Sequence, residues 1–227
     1  MLGELCVLGF LGYTIAQGFQ CLGLYYLPAV SVTFILNFTP LTVLLLGAVF
    51  LREYPSLKQL IGVVIVLVGA YLYFNDPLGD IGLTGVLVTL ASGIGWASYL
   101  VASRLLSIKV SVRPLPLTAI SVGFGTLLML TMSSYEGFRS VPLSGWVIIL
   151  WLGVVNTALA FFLWNRALLA LEAFQISVLQ NTMLVQIGLL AWLFLGEGLT
   201  AMKLISMLLV FAGALIVQLR DVSIRRR

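Results

Sequence analysis

The chain has 227 residues, 61% of them hydrophobic and only 9% charged, with a mean hydropathy of +1.15 and a formal net charge of +4. A soluble domain needs about a quarter of its residues charged to cover its surface, so a water-soluble fold is excluded. The basic balance does not mark a nucleic-acid binder, because the twelve Lys and Arg are scattered and gather near predicted helix ends.

A bilayer core about 30 Å thick takes roughly 20 apolar residues per helix, and the chain supplies such runs repeatedly. The expected architecture is all-α: a polytopic bundle of eight transmembrane helices. The first, α1, is predicted over 2–25; it is too long and lacks the basic start of a cleaved signal peptide. Helix α2 follows at 29–51, and the link REYPS leads to α3 at 57–74. NDPLGDIG has the Asn, Asp, Pro and Gly content of a turn. Beyond it lie α4 at 82–105 and α5 at 115–133. SSYEGFRSVPLSG is the longest loop, before α6 at 145–170, α7 at 173–195 and α8 at 201–219.

Lys and Arg fall unequally on the two sides this order creates. The side with both termini holds Arg52, Lys58, Arg104, Lys109, Arg113, Arg166, Arg220, Arg225, Arg226 and Arg227; the other holds Arg139 and Lys203. That bias predicts cytoplasmic termini in a multi-pass protein of the plasma membrane.

The sequence also repeats itself. Ala173 to Glu197 lies without a gap on Ala29 to Glu53, with Asn181 on Asn37, Phe194 on Phe50 and Glu197 on Glu53. The register extends to Gly153 on Gly9, Ala160 on Ala16 and Gly213-Ala214 on Gly69-Ala70. About a quarter of the aligned positions are identical, the level at which duplication becomes visible. Glu53 falls on the cytoplasmic side and Glu197 on the other, so the copies cross the bilayer in opposite directions. Residues 1–74 then form an incomplete first copy of three helices, 82–219 a second copy of five, and 220–227 a basic cytoplasmic tail. Nothing in the first copy matches α4 and α5. Their counterparts are expected to precede Met1 and to flank α1, or to come from a partner chain or a second copy.

The second-copy stretch LWLGVVNTALAFFLWNRALLALEAFQISVLQNTMLVQIGLLAWLFLGEGLT resembles the signature of EamA-type drug/metabolite transporters. FLREYPS and VLVGAYLYF repeat the pattern in the first copy, with Arg52 standing where the family usually has Gly. The resemblance implies a ten-helix inverted repeat around a central cavity and export of amino acids, nucleobases or other small metabolites. It also implies alternating access. The competing expectation is a truncated or half-size fragment that does not transport alone.

Polar residues inside the predicted helices are the candidate substrate-binding groups, because an amide in hydrocarbon must face protein or water. Thr33, Asn37 and Pro40 share one face of α2, and Pro40 frees the Leu36 carbonyl and invites a kink. Asn181 repeats Asn37 in α7, with Gln180 beside it. Gln17 and Gln20 lie on one face of α1; Asn156 and Trp164 occupy equivalent positions in α6. Gln17, Gln20, Asn37, Asn156 and Asn181 are expected to face one polar cavity. Trp96 and Tyr99 in α4 are either an aromatic wall for a planar substrate or ordinary packing. Asn37 and Asn181 are alternatively interhelical glue. Asn165 and Arg166 read as unremarkable residues near a helix end, and Glu53 as a turn residue beside a capping signal at Ser56 and Gln59.

Enzymatic activity is not expected. There is no His, and neither a midplane carboxylate nor a nucleophile with a base. Cys6 and Cys21 lie on one helix about 22 Å apart and cannot pair. No metal or cofactor is implied; the partners are the lipid bilayer and a small molecule.

Overall fold

The computed structural model describes residues 2–74, 82–110, 112–133, 142–195 and 200–218. The turn at 75–81, the loop at 134–141, Glu197 and the basic tail lie outside the described residues. The described chain is an all-α membrane bundle. Six stretches are long and apolar enough to cross a bilayer: Leu2–Tyr26 (α1), Ser31–Leu51 (within α2, 29–51), Leu83–Lys109 (α4), Pro114–Met132 (within α5), Leu143–Ala167 (α6) and Ala201–Gln218 (α8). Leu57–Phe74 (α3) is a shorter apolar helix, and α7 is made of Ala173–Asn181 and Met183–Leu195.

Two helices are interrupted at positions that correspond in the 144-residue register. In α2 the helical pattern lapses at Asn37 and Phe38, between Ala29–Leu36 and Thr39–Leu46. Pro40 has no N–H for the Leu36 carbonyl, and the Leu41 amide turns to Phe38 O (3.0 Å), so Asn37 O is left for another partner. In α7 the lapse falls at Thr182, whose hydroxyl donates to Leu179 O at 2.6 Å. Helices α1 and α6 each contain a π-helical stretch, Phe10–Gly18 and Leu152–Leu159, again at corresponding places. Such stretches insert a residue into the helical turn and turn its neighbours to a new face.

Small residues decide the closest packing. A Cβ on Gly62 would lie 2.9 Å from Gly213 O, and one on Gly69 would lie 2.9 Å from Ser206 O. Only hydrogen at these positions lets α3 and α8 touch backbone to backbone, as small residues do in membrane bundles. The pairs run in opposite order along the two helices, so α3 and α8 are antiparallel. Both helix starts are capped: Gln59 Oε1 accepts from Ser56 N (2.8 Å), and Thr200 Oγ1 accepts from Lys203 N (3.3 Å). Gln59 and Gln175 reach on from their helix starts, each donating Nε2 to Val217 O at 3.3 Å.

One expectation is reversed. Helices α4 and α5 pack on α1 rather than leaving it bare. Gly95 lies against Ala16, Ser92 Oγ donates to Ala16 O (2.6 Å), and Gly125 lies against Tyr13. The bare helix is α6. None of its most apolar window is buried, and Trp151 is 65% and Val154 61% exposed. Adjacency in sequence suggested the wrong pairing, because α4 and α5 pack mainly on α1 rather than on the helix that follows them.

Candidate functional site

Helices α4, α6 and α7 enclose a cleft of about 190 Å³, lined by Trp96, Asn156, Ala160, Phe161, Trp164, Gln180 and Met183. Its wall is aromatic. Trp96 and Phe161 stack with centroids 5.7 Å apart and ring planes 15° apart. Tyr99 meets both edge-on from behind, at 6.0 Å and 5.8 Å, and Tyr13 of α1 closes the cluster against Phe161 at 4.9 Å. Edge-to-face and offset contacts of this kind fix ring orientation as well as fill space. No ionisable side chain is among the lining residues. The polar groups there are the side-chain amides of Asn156 and Gln180, each able to donate and to accept.

Trp96, Asn156, Trp164 and Gln180 are therefore brought together, while Tyr99 stands behind the wall, fully buried. The five amides expected to share one cavity do not. Gln17 and Gln20 are half-buried on α1 and are not among the lining residues. Asn37 and Asn181 are buried against each other: Asn181 Nδ2 donates to the carbonyl that the break in α2 releases, Asn37 O, at 2.9 Å, while Asn37 Nδ2 donates to Thr33 O at 2.7 Å. The Asn181 bond satisfies the broken backbone of α2 from another helix, the interhelical-glue role, while the Asn37 side chain bonds within its own helix.

Two residues that matter were passed over in the sequence. Asn165 is fully buried and joins three helices. Its Nδ2 donates to Tyr99 Oη (2.9 Å) and Thr118 Oγ1 (2.9 Å), and its Oδ1 accepts from Ser103 Oγ at 2.7 Å. This network braces the floor of the aromatic wall. Near one end of the bundle, Arg104 of α4 forms an ion pair with Glu53 through Nε, with the side chains only 10% and 12% exposed. The guanidinium also donates to the carbonyls of Leu168 and Leu171, where α6 ends. The other Glu53 oxygen accepts from Ala173 N, the first amide of α7, at 3.3 Å. Glu53 is held in place by Arg52, which adopts the left-handed conformation (φ 57°) that favours Gly, and by its own amide donating to Gly47 O at 3.2 Å. The Gly usual at this position in the resembled family has its conformational reason here. Glu53 is a terminal residue, as expected, but its side-chain partners come from two other segments, α4 and the start of α7, which one sequence cannot reveal.

The model of the EamA-like transporter family matches residues 1–75 and 83–219. The chain is similar to protein PecM of Dickeya dadantii, 26% identical over 231 residues, covering 100% of this chain and 76% of PecM. It is similar to a probable terminal-alkyne amino-acid exporter of Streptantibioticus cattleyicolor, 24% identical over 227 residues, covering 98% and 76% respectively. An uncharacterized transporter of Acidianus ambivalens is 26% identical over 167 residues, and there the chain spans 64% of the relative's length. A solved crystal structure superposes with a TM-score of 0.80 at 21% identity, covering 94% of this chain and 75% of that one, a likeness of fold.

Proposed function

The chain belongs to the EamA-like transporter family, and from that premise we propose that it moves a small metabolite without net charge, outward across the plasma membrane, by alternating access. Membership makes it a multi-pass membrane transporter of small molecules rather than an enzyme. The observation that carries the finer reading is the lining of the cleft: stacked aromatic rings, two free-standing amides and no ionisable side chain. A charged solute entering such a site loses its hydration without a counter-charge, at a cost of several kcal/mol. A nucleobase meets the amides and the ring faces instead, and in an amino acid the ammonium and carboxylate offset each other while the ammonium lies over a ring face and the carboxylate accepts from an amide. The name of the Streptantibioticus relative, an amino-acid exporter, agrees with both the solute class and the direction. In this reading Trp96, Asn156, Trp164 and Gln180 touch the solute, Tyr99 orients the wall, and Gln17, Gln20, Asn37 and Asn181 support the helices that rearrange.

An inverted repeat underlies the alternation. Gly62 meets Gly213, the counterpart of Gly69; Gly69 meets Ser206, the counterpart of Gly62; Asn37 meets its own counterpart, Asn181. Such exchange is the mark of a two-fold relation. Because α3 and α8 run antiparallel, the axis is perpendicular to them and lies in the membrane plane. The two segments matched by the family model divide at the same point as the copies. Cytoplasmic termini follow from the distribution of Lys and Arg. The test is counterflow into proteoliposomes of radiolabelled phenylalanine, threonine, adenine and uracil, with phosphate as the charged control. At least one neutral solute should exchange, and Gln180→Leu should reduce that exchange about tenfold with folded yield unchanged. Exchange of phosphate alone, or equal losses of flux and yield, would refute the assignment.

A second reading rests on the bare face of α6, which borders the cleft. Two further helices, from a longer chain or a partner, would cover it as α4 and α5 cover α1. Exchange would then appear only when those helices are supplied.

A further inference from the structure

The charged cluster at one end of the bundle has no part in the solute site, yet it grips the same three helices. Arg104 lies two turns beyond Trp96 on α4, Leu168 one turn beyond Trp164 on α6, and Ala173 two turns before Gln180 on α7. Glu53 adds the end of α2. The connection between α6 and α7 is therefore held from both sides: the guanidinium caps the carbonyls of Leu168 and Leu171, and the carboxylate caps the amide of Ala173. Each charge also suits the helix end it meets, cation at a C-terminus and anion at an N-terminus. Along α6 the Asn165 network lies between Trp164 of the cleft and Leu168 of the cluster.

We propose that the Glu53–Arg104 pair is a releasable latch that closes the Arg104 end of the transport path and opens when the solute site turns toward that side. The choice of charge is what distinguishes a latch from a permanent weld. An apolar plug of the same size loses its whole burial energy when it opens. A nearly buried ion pair regains hydration as it separates, and the desolvation penalty is comparable with the attraction it offsets. Closed and open forms can then lie within a few kcal/mol of each other, as an alternating carrier requires. The inference rests on the transport reading for its purpose, while its geometry stands independently.

The experiment reads access, not flux. In a background with Cys6→Ser and Cys21→Ser, Ala160→Cys places a reporter on the cleft, and an impermeant maleimide is applied to right-side-out and inside-out vesicles. Ser56→Cys, made separately, identifies which face carries the Arg104 end. The parent should label from the opposite face. Glu53→Gln and Arg104→Gln should each speed labelling from the Arg104 face about tenfold, and the exchange Glu53→Arg with Arg104→Glu should bring it part of the way back. Folded variants that keep the parent's one-sided labelling would overturn the proposal and leave the cluster as a structural anchor only. Arg104→Lys covers the case in which the neutral variants fail to fold. It keeps the charge but not the guanidinium's division of labour, Nε to Glu53 and Nη1 to the two carbonyls, and should speed labelling about threefold; an unchanged rate would equally overturn the latch. Counterflow by the parent is measured alongside. Its absence counts against the transport reading and leaves the labelling result intact.

Discussion

Helices α1 and α6 align in the 144-residue sequence register, and each carries a π-helical stretch, yet they meet opposite surroundings. Gly9, Gly12 and Ala16 are buried under α4 and α5; their counterparts Gly153, Asn156 and Ala160 are exposed. A Cβ on Gly9 would press on the backbone of Ser121 and Gly125, whereas one on Gly153 would meet nothing within 4 Å. The difference teaches that a membrane helix does not announce its burial in its own composition. Both are mostly apolar with a few polar residues, and the neighbours decide which face is core and which is lipid.

The sharpest way to break the comparison lies within α6. Its packed end carries Asn165, and replacing it with Leu strands Tyr99, Ser103 and Thr118 in a dry interior. We expect a loss of about 3 kcal/mol, seen as lower thermal aggregation temperature in detergent and reduced folded yield. Asn156→Leu, two turns earlier at the bare end, should leave both measures unchanged while impairing solute exchange. The matched glycines come next. Gly9→Ala should destabilise by about 2 kcal/mol through overpacking, and Gly153→Ala should be neutral or stabilise by up to about 1 kcal/mol through helix propensity. Equal responses in the same assay would mean that the α6 face is covered in the membrane. A smaller effect is expected where the copies are alike: Asn181→Leu leaves Asn37 O without its donor and should cost about 1 kcal/mol, with little change in labelling of the cleft. The smallest belongs to the helix ends. Arg52 has a left-handed backbone where the second copy has Gly196 in sequence, so Arg52→Gly should raise the aggregation temperature slightly, worth about 0.5 kcal/mol.

Much of this was legible in the sequence, and the reason is physical. Hydrocarbon thickness sets helix length, so the predicted limits of α1 to α8 lie within a few residues of the observed ones wherever residues are described. The capping pair of Ser56 and Gln59 was readable because the partners are three residues apart. Of the residues lining the cleft, Asn156 and Gln180 were singled out as amides that cannot face lipid unpaired, Trp164 by its repeat position, and Trp96 as either an aromatic wall or packing. What escaped depends on contacts between distant segments. Asn165 sits at a helix position where polarity is cheap, and only Tyr99, Ser103 and Thr118 make it a hub. Arg104 was counted as one more basic residue at a helix end. The crossing of α4 and α5 onto α1 leaves no trace in hydropathy at all.

The contact between Asn37 and its own counterpart has a consequence for the resting state. A residue that touches its mate lies beside the axis, and under the two-fold proposed above, inward- and outward-facing forms of a perfectly duplicated chain would be related by that rotation and equal in energy. Such a carrier would be degenerate, spending half its time facing each way. Every mismatch between the halves lifts that degeneracy, and a gap of only about 2.7 kcal/mol holds the ratio at 99:1. Drift in sequence between the copies is then the means by which a resting orientation is written into the molecule. Restoring identity between the halves, position by position, should carry the protein back toward indifference.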